Sequence, residues 1–240
     1  MNIIIAIVML NLLIGVHELG HFLAAKSCKV GVDEFSLGMG PKIISKEING
    51  TVYSLRWIIL GGYVKLNEED FKESIWWKHI IIMLAGVVFN LLFAIIGAWV
   101  YLLFSDIVDV GIFKSLYLAI IVVVRALQQM IIAVAEMFKA ADTSGFAGPV
   151  GVVDVVSTYV SSGWMNTIEI FTMLNINLFI MNLLPLPILD GGQIVLVLIK
   201  KAFNKKEMPR FETAWTVIGL ALLGLILFFA LKNDILRFFG

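Results

Sequence analysis

Residues 3–25 form one long apolar run, and His17, Glu18 and His21 sit inside it. A run of this length crosses a bilayer as a helix, because lipid offers the backbone no other hydrogen-bond partner. In a helix, positions i and i+4 stack on one face, so His17 and His21 can share one metal ion. Glu18 follows the first histidine, where a carboxylate can serve as general base toward water activated by that metal. The alternative is that the two rings act as hydrogen-bond glue between helices. Ionisable groups within a span are costly and mark function. A buried zinc site is therefore expected, one ion per chain, with a third ligand supplied by another part of the sequence.

The remaining composition agrees with a membrane setting. Of 240 residues, 60% are hydrophobic and 15% charged, with mean hydropathy +0.96. Soluble domains sit nearer half apolar and a quarter charged, so the fold class is a polytopic α-helical membrane protein. Formal net charge is zero, which gives no footprint for nucleic acid. Basic residues cluster between 26 and 78, and again at Lys200, Lys201, Lys205, Lys206 and Arg210, but are sparse over 105–165. By the positive-inside rule the first two regions are cytoplasmic and the third lies outside, leaving both termini outside. Four spans satisfy this count: 2–25, 79–104, a broken third span over 164–199, and 212–231. Cys28 is the sole cysteine, which excludes an internal disulfide. The first run lacks a basic leading region and is not read as a cleaved signal peptide.

Between the first two spans the rhythm changes. Residues 42–48 and 51–58 are β-rich runs flanking Asn49-Gly50, a strong signal for a two-residue hairpin. This small β-hairpin or sheet, within a cytoplasmic segment 29–66, is apolar enough at Trp57-Ile58-Ile59-Leu60 to lie on the bilayer or the helices. Trp76-Trp77-Lys78 reads as an interfacial anchor and His79 as an interfacial residue. Ala85-Gly86 would allow close helix contact, and Asn90 could hydrogen-bond across the bundle. Residues 112–160 are expected as an outer-face helical segment, because Arg125, Gln128, Gln129 and Glu136 interrupt its apolar character. Gly145 to Gly151 reads as a turn, and 212–231 as scaffold.

The third span is where the rest of a site belongs. Asn175, Asn177 and Asn182 punctuate it, Pro185 and Pro187 break its hydrogen bonding, and Asp190-Gly191-Gly192 follows. Irregular backbone at membrane depth is tolerated only where it lines a protein-buried or watered cavity. Asp190 is the acidic residue there, expected as third ligand, with a helix N-cap as the alternative. Asn182, Pro185, Pro187 and Gly191 are expected to meet the substrate. Such a site suits peptide hydrolysis, and its depth makes transmembrane segments of other proteins the substrate. A helical substrate must unwind first, and an edge of the 42–60 hairpin could pair with it as an added strand.

These motifs resemble the site-2 proteases, intramembrane zinc metalloproteases, and among them the bacterial RseP type. The resemblance rests on His17-Glu18-Leu19-Gly20-His21 together with the Asn182 to Gly192 stretch. Phe35-Ser36-Leu37-Gly38, Leu60 to Lys65, Ala85-Gly86 with Asn90, and Gly148-Pro149-Val150-Gly151 add to it in family order. It implies His17, His21 and Asp190 as zinc ligands, Glu18 as catalytic base, Asn182 as a substrate-positioning residue and a membrane-associated sheet around 42–65. It further implies regulated intramembrane proteolysis or clearance of remnant signal peptides. The substrate would be a single-pass protein in a bacterial cytoplasmic membrane, trimmed first by an upstream site-1-type protease. The site would face the cytoplasmic side.

Two departures stand out. The RseP type carries PDZ domains outside, whereas only Ser105 to Lys114 separate the second span from the next helical run, far short of an independent domain. Val87 replaces the usual proline after Ala-Gly. Two rival classes are an ion-binding transporter, since broken helices with buried carboxylates also mark ion paths, and an inactive scaffold that binds membrane proteins. The transporter predicts that no peptide is cut, and the scaffold has no use for Glu18.

Overall fold

The structure, a computed structural model, describes residues 2–105, 111–140, 147–205 and 207–239. Lys206 and the first residues of the expected 145–151 turn lie outside them. The first apolar run is one helix, α1 (Asn2–Ser27), closed by Lys29 in the left-handed region and by a hydrogen bond from Val30 N to Ala25 O. Two long strands follow, β1 (Val32–Ile48) and β2 (Thr51–Leu66). Asn49 and Gly50 both have positive φ (52° and 74°), the backbone that a tight hairpin turn needs. Next to the turn, pairing runs from Ile48↔Thr51 to Lys42↔Arg56.

Both strands then bend. At Gly38 (φ 87°) a side chain would meet the Arg56 and Ile58 carbonyls at 2.9 Å, so only glycine lets β1 turn there. Beyond the bends, 34–37 pairs with 65–62 on one flank (Glu34↔Lys65, Leu37↔Gly62) and with 52–55 on the other (Glu34↔Val52, Leu37↔Leu55). Among the described pairings this leaves 62–66 with a partner on one side only. Leu55, Trp57, Ile58 and Ile59 remain exposed rather than packed on the helices, which was one of the two placements expected for this apolar stretch.

A short helix, α2 (Glu68–Glu73), capped by the Asn67 side chain, leads into α3 (Trp76–Phe104) and α4 (Ile112–Ala140). Then come α5 (Pro149–Ser161), α6 (Trp164–Leu183), α7 (Asp190–Ala202) and α8 (Pro209–Phe239). Small residues let the helices approach. Ala94 and Ala98 of α3 pack on Ala119 and Val123 of α4 and on Ile176 and Ile180 of α6. A second cluster joins Ala6 and Met9 of α1 to Val156 and Ile170. A third, of Ala25, Val30, Val32 and Ile82, ties the sheet to α1 and α3.

Among the described residues, four helices are long and apolar enough to cross a membrane: Asn2–Ser27, Trp76–Phe104, Ile112–Glu136 and Pro209–Arg237. The number is the expected one, but its membership differs. Residues 112–136 enter as a single helix, because Arg125, Gln128 and Gln129 interrupt the apolar character without breaking the backbone. The first half of the broken third span, α6, drops out because Asn175, Asn177 and Asn182 dilute its 20 residues. The Gly148–Gly151 motif also differs from expectation. It opens a helix, with Gly148 at the N-cap of α5 and Pro149 in the first turn. The Asp234 carboxylate of α8, 5% exposed, accepts hydrogen bonds from the Gly148, Val150 and Gly151 N–H groups at 2.9–3.1 Å.

Candidate metal centre and active site

The site is built where α1 crosses α3. A methyl group on Gly20 would lie 2.7 Å from the Ala85 carbonyl carbon and 2.9 Å from Gly86 Cα, so the two backbones nearly touch. On Gly86 it would lie 2.6 Å from His21 Cε1 and 2.9 Å from His17 Cε1. The small pair therefore does more than bring helices together, because Gly86 makes the space that the two imidazoles fill.

The third element arrives through the broken span. Leu184 is extended, α6 stops before Pro185 and Pro187, and α7 begins at Asp190. Gly191 and Gly192 face the Leu183 and Leu186 carbonyls so closely that no side chain fits at either position. Gln193 Nε2 donates to the Pro187 carbonyl at 2.6 Å and fixes the bend. Leu189 holds the N-cap position of α7, and no side chain caps it. Asp190 is thus free of the capping role that was its alternative.

The resulting geometry is compact. His17 Nε2 and His21 Nε2 are 3.1 Å apart, and Asp190 Oδ2 is 3.1 Å from the first and 3.4 Å from the second. His21 Nδ1 donates to the Ile82 carbonyl at 2.7 Å, which leaves its Nε2 a bare acceptor. His17 Nδ1 lies 3.3 Å from the Asn90 amide, and Asn90 is fully buried with Oδ1 otherwise unpartnered. With the amide oriented so that Oδ1 accepts from His17 Nδ1–H, both needs are met and His17 Nε2 is also a bare acceptor. Asp190 Oδ2 receives no hydrogen bond although it is buried. With both rings neutral in these tautomers, three lone pairs converge on one point, an arrangement that a bound metal cation would relieve. Ligands about 2.0–2.2 Å from a tetrahedral zinc lie about 3.3–3.6 Å apart, close to the observed edges. The residues present fit zinc.

His17, Glu18, His21, Asn182 and Asp190 line one cavity of about 310 Å³, with Tyr63 of β2 among its walls. Pro185, Pro187 and Gly191 are not part of that lining. The prolines shape the bend beneath it, Gly191 lies against the Leu183 and Leu184 carbonyls, and Pro187 also faces Gly219 of α8. Glu18 lies beside the strand segment that includes Gly62, with a methyl at Gly62 falling 3.4 Å from Glu18 Cγ. Of the hairpin, residues 63, 64 and 66 reach the cavity rather than any in 42–60.

Tyr63 is held by a charged network that the sequence did not announce. Glu34 accepts from Ser54 Oγ at 2.6 Å and from Arg56 at 2.8 Å on one oxygen, with Lys42 at 3.2 Å, and the Arg56 guanidinium lies 5.3 Å over the Tyr63 ring. Burial pushes the Glu34 carboxyl up, but these donors outweigh it and hold it down at about 2. His79, expected at the interface, stacks on Phe71 at 3.9 Å and bonds the Phe71 carbonyl, away from the metal site.

With this geometry in view, comparison with known proteins is decisive. The model of peptidase family M50 matches residues 5–226. The chain belongs to the M50, or site-2 protease, family. It is similar over its full length to a candidate zinc metalloprotease of Fusobacterium nucleatum, 27% identical across 346 aligned positions that cover all of both chains. A counterpart in Campylobacter jejuni is 25% identical over 345 positions, covering 98% of this chain and 93% of its own. One from Borreliella burgdorferi is 41% identical over 114 residues, 40% of this chain and 26% of its own. The 346 positions exceed the 240 residues here, so the Fusobacterium relative carries residues with no counterpart in this chain. This M50 member is a membrane metalloprotease, and zinc is the metal its family implies.

Proposed function

We propose that this M50 peptidase is an intramembrane enzyme that hydrolyses peptide bonds within the transmembrane segments of single-pass proteins. His17, His21 and Asp190 would hold one zinc ion and Glu18 would act as general base. The observation that carries the reading is the triangle of three proton-free acceptors, 3.1–3.4 Å on its edges, beside a carboxylate in the same cavity.

When bound, zinc supplies a Lewis acid that polarises a carbonyl and acidifies water. The protein's own groups do the rest. Glu18 takes the proton of the attacking water as the new C–O bond forms at the scissile carbonyl. It then passes that proton to the amide nitrogen as the C–N bond breaks, leaving a carboxyl and an amine. Ile82 and Asn90 fix the two imidazoles so that each turns Nε2 to the centre. Asn182 faces the same cavity and is placed to hydrogen-bond an unwound backbone. The partly paired segment 62–66, next to Glu18, is the strand edge a substrate would extend. That moves the proposed edge from 42–60 to the returning half of β2.

In this reading the site would face the cytoplasmic side of a bacterial cytoplasmic membrane, with both termini outside, a reading supported by the basic clusters at 26–78 and 200–210. Partners are the bilayer and a single-pass substrate prepared by an upstream site-1-type protease, with no role for nucleic acid. The purpose would be regulated intramembrane proteolysis or remnant signal-peptide clearance. With α4 starting at Ile112, directly after α3, selection of substrates by an intervening domain is replaced by the membrane part itself.

The test is cleavage of a single-pass model substrate by the purified chain, with the cut located by mass spectrometry and zinc quantified in parallel. Glu18→Gln is expected to lower the rate by about 10²–10⁴-fold while retaining one equivalent of zinc. A cut that survives both this substitution and a chelator would overturn the proposal.

A further inference from the structure

A second cavity, larger than the metal site, lies elsewhere among the described residues. It lies between α2, the first turns of α3 and α8, and the last turns of α7, with a volume of about 530 Å³. Its deep wall is apolar, with Leu196 buried and Met83 and Val197 half-buried. Its outer wall carries Lys72, Lys200, Lys201 and Lys205. Two of these cations are already committed: Lys200 pairs with Glu212 at 2.7 Å, and Lys72 with Glu207 at 3.8 Å. Lys201 rests over the Trp76 ring at 5.6 Å, and among the described residues no carboxylate pairs with it or with Lys205. Glu73 is the remaining acid in the lining, so the uncommitted charge is positive.

We propose that this cavity binds one anionic phospholipid, its phosphate held by Lys201 and Lys205 and its upper chains laid against Met83, Leu196 and Val197. The charge pattern calls for an anion, and the apolar depth for an amphiphile rather than a soluble one. Ile75 and Trp76, 55% and 39% exposed, continue the apolar surface outward from the cavity, where acyl chains would run. The lysines belong to the basic cluster that the positive-inside rule sets at the cytoplasmic leaflet, where anionic lipids concentrate. The inference needs only the membrane placement of the chain and not its catalytic chemistry. It bears on that chemistry nevertheless, because α7 carries Lys200 and Lys201 in its last turn and Asp190 at its start, and Met83 lines both cavities.

The experiment uses the full chain in neutral detergent, titrated with dioleoylphosphatidylglycerol or dioleoylphosphatidylcholine and read by native mass spectrometry. The wild type is expected to retain a single phosphatidylglycerol in preference to phosphatidylcholine. Lys201→Gln with Lys205→Gln should weaken retention by about fivefold for each charge removed, whereas Lys201→Arg with Lys205→Arg should keep it. A second readout is independent of those variants: phosphatidylglycerol with brominated chains should quench tryptophan fluorescence in the wild type and less in Trp76→Phe. Equal retention of the two lipids, an undiminished adduct in the double glutamine variant, or quenching that Trp76→Phe leaves unchanged would overturn the assignment. Displacement of the adduct by inorganic phosphate would also overturn it and would mark a soluble-anion site instead.

Discussion

Adding one methyl group at Gly86 should separate metal binding from folding. At that position a Cβ falls 2.6 Å from His21 Cε1 and 2.9 Å from His17 Cε1, where ordinary contact is about 3.5 Å. Each ring must therefore retreat by roughly half an ångström to one ångström, or the helices must part. Parting is resisted, because Gly20 already rests on the Ala85 and Gly86 backbone, about two turns in from the nearer end of each helix. The rings move instead, and Nε2 atoms held within 3.1–3.4 Å of their partners leave a tolerance of about 0.2 Å for metal ligation. The Gly86→Ala chain is expected to lose about 1–3 kcal/mol of stability by overpacking and about 10–100-fold in zinc affinity. The comparator is Gly97→Ala on the same helix, whose methyl would strike Thr172 Oγ1 of α6, far from the histidines. It should cost similar stability and leave zinc affinity intact. Zinc affinity is read by competition with a chromophoric chelator, and stability by unfolding in mixed micelles. If Gly86→Ala holds zinc as the wild type does, or Gly97→Ala loses it equally, the steric account of the site is wrong.

Asn90→Ala should lower zinc affinity by about 10–100-fold by freeing the His17 ring, and Asn90→Asp, which keeps an acceptor on Nδ1–H, should recover most of it in the same chelator assay. Asp234→Ala strands three backbone N–H donors at the start of α5 and should cost about 3–5 kcal/mol in micelle unfolding, against a smaller loss for Asp234→Asn, which keeps one acceptor oxygen. A loss below about 1 kcal/mol for the alanine variant would show that the clasp is not structural. The Glu34 carboxyl is held at about 2, below its ordinary 4.5, so its contribution to the sheet is fully present above pH 4.5 and is lost as pH falls through about 2. The stability gap between wild type and Glu34→Gln should accordingly narrow over that window, and a gap that stays constant would contradict the network.

Much of this was legible because the signals were local. The i, i+4 histidines and the Asn-Gly turn declare themselves within a few residues, and Pro185 with Pro187 announces a broken helix next to Asp190. What the sequence hid depends on contacts between distant segments. Asn90 was visible as a polar residue in a span, but its partner His17 was not, since hydropathy does not say which face of α3 meets α1. The bends of β1 and β2 leave a hairpin signal that looks straight, so the strand segment beside Glu18 was placed one half-hairpin too early. The fourth apolar run was read as ending at 231, and Asp234 stayed out of view because a carboxylate beyond a span ordinarily faces water. Its burial follows from the exposed N–H groups of α5, which are a tertiary fact. The single helix over 112–140 was obscured by Arg125 and its neighbours, which change the polarity of a segment without changing its backbone.

The donor triangle draws on α1 and α7, at opposite ends of the chain. During synthesis the histidine pair enters the membrane first, and for most of the time that follows it has no carboxylate to complete it. On the proposed ligand set, a growing or truncated chain therefore presents two imidazoles that hold a metal weakly and lacks the broken-span wall of the cavity. On that set, proteolytic competence would arrive late, once Asp190 is inserted and α7 packs onto α3. A membrane still receiving new proteins would thereby be spared a protease that is active before it is finished.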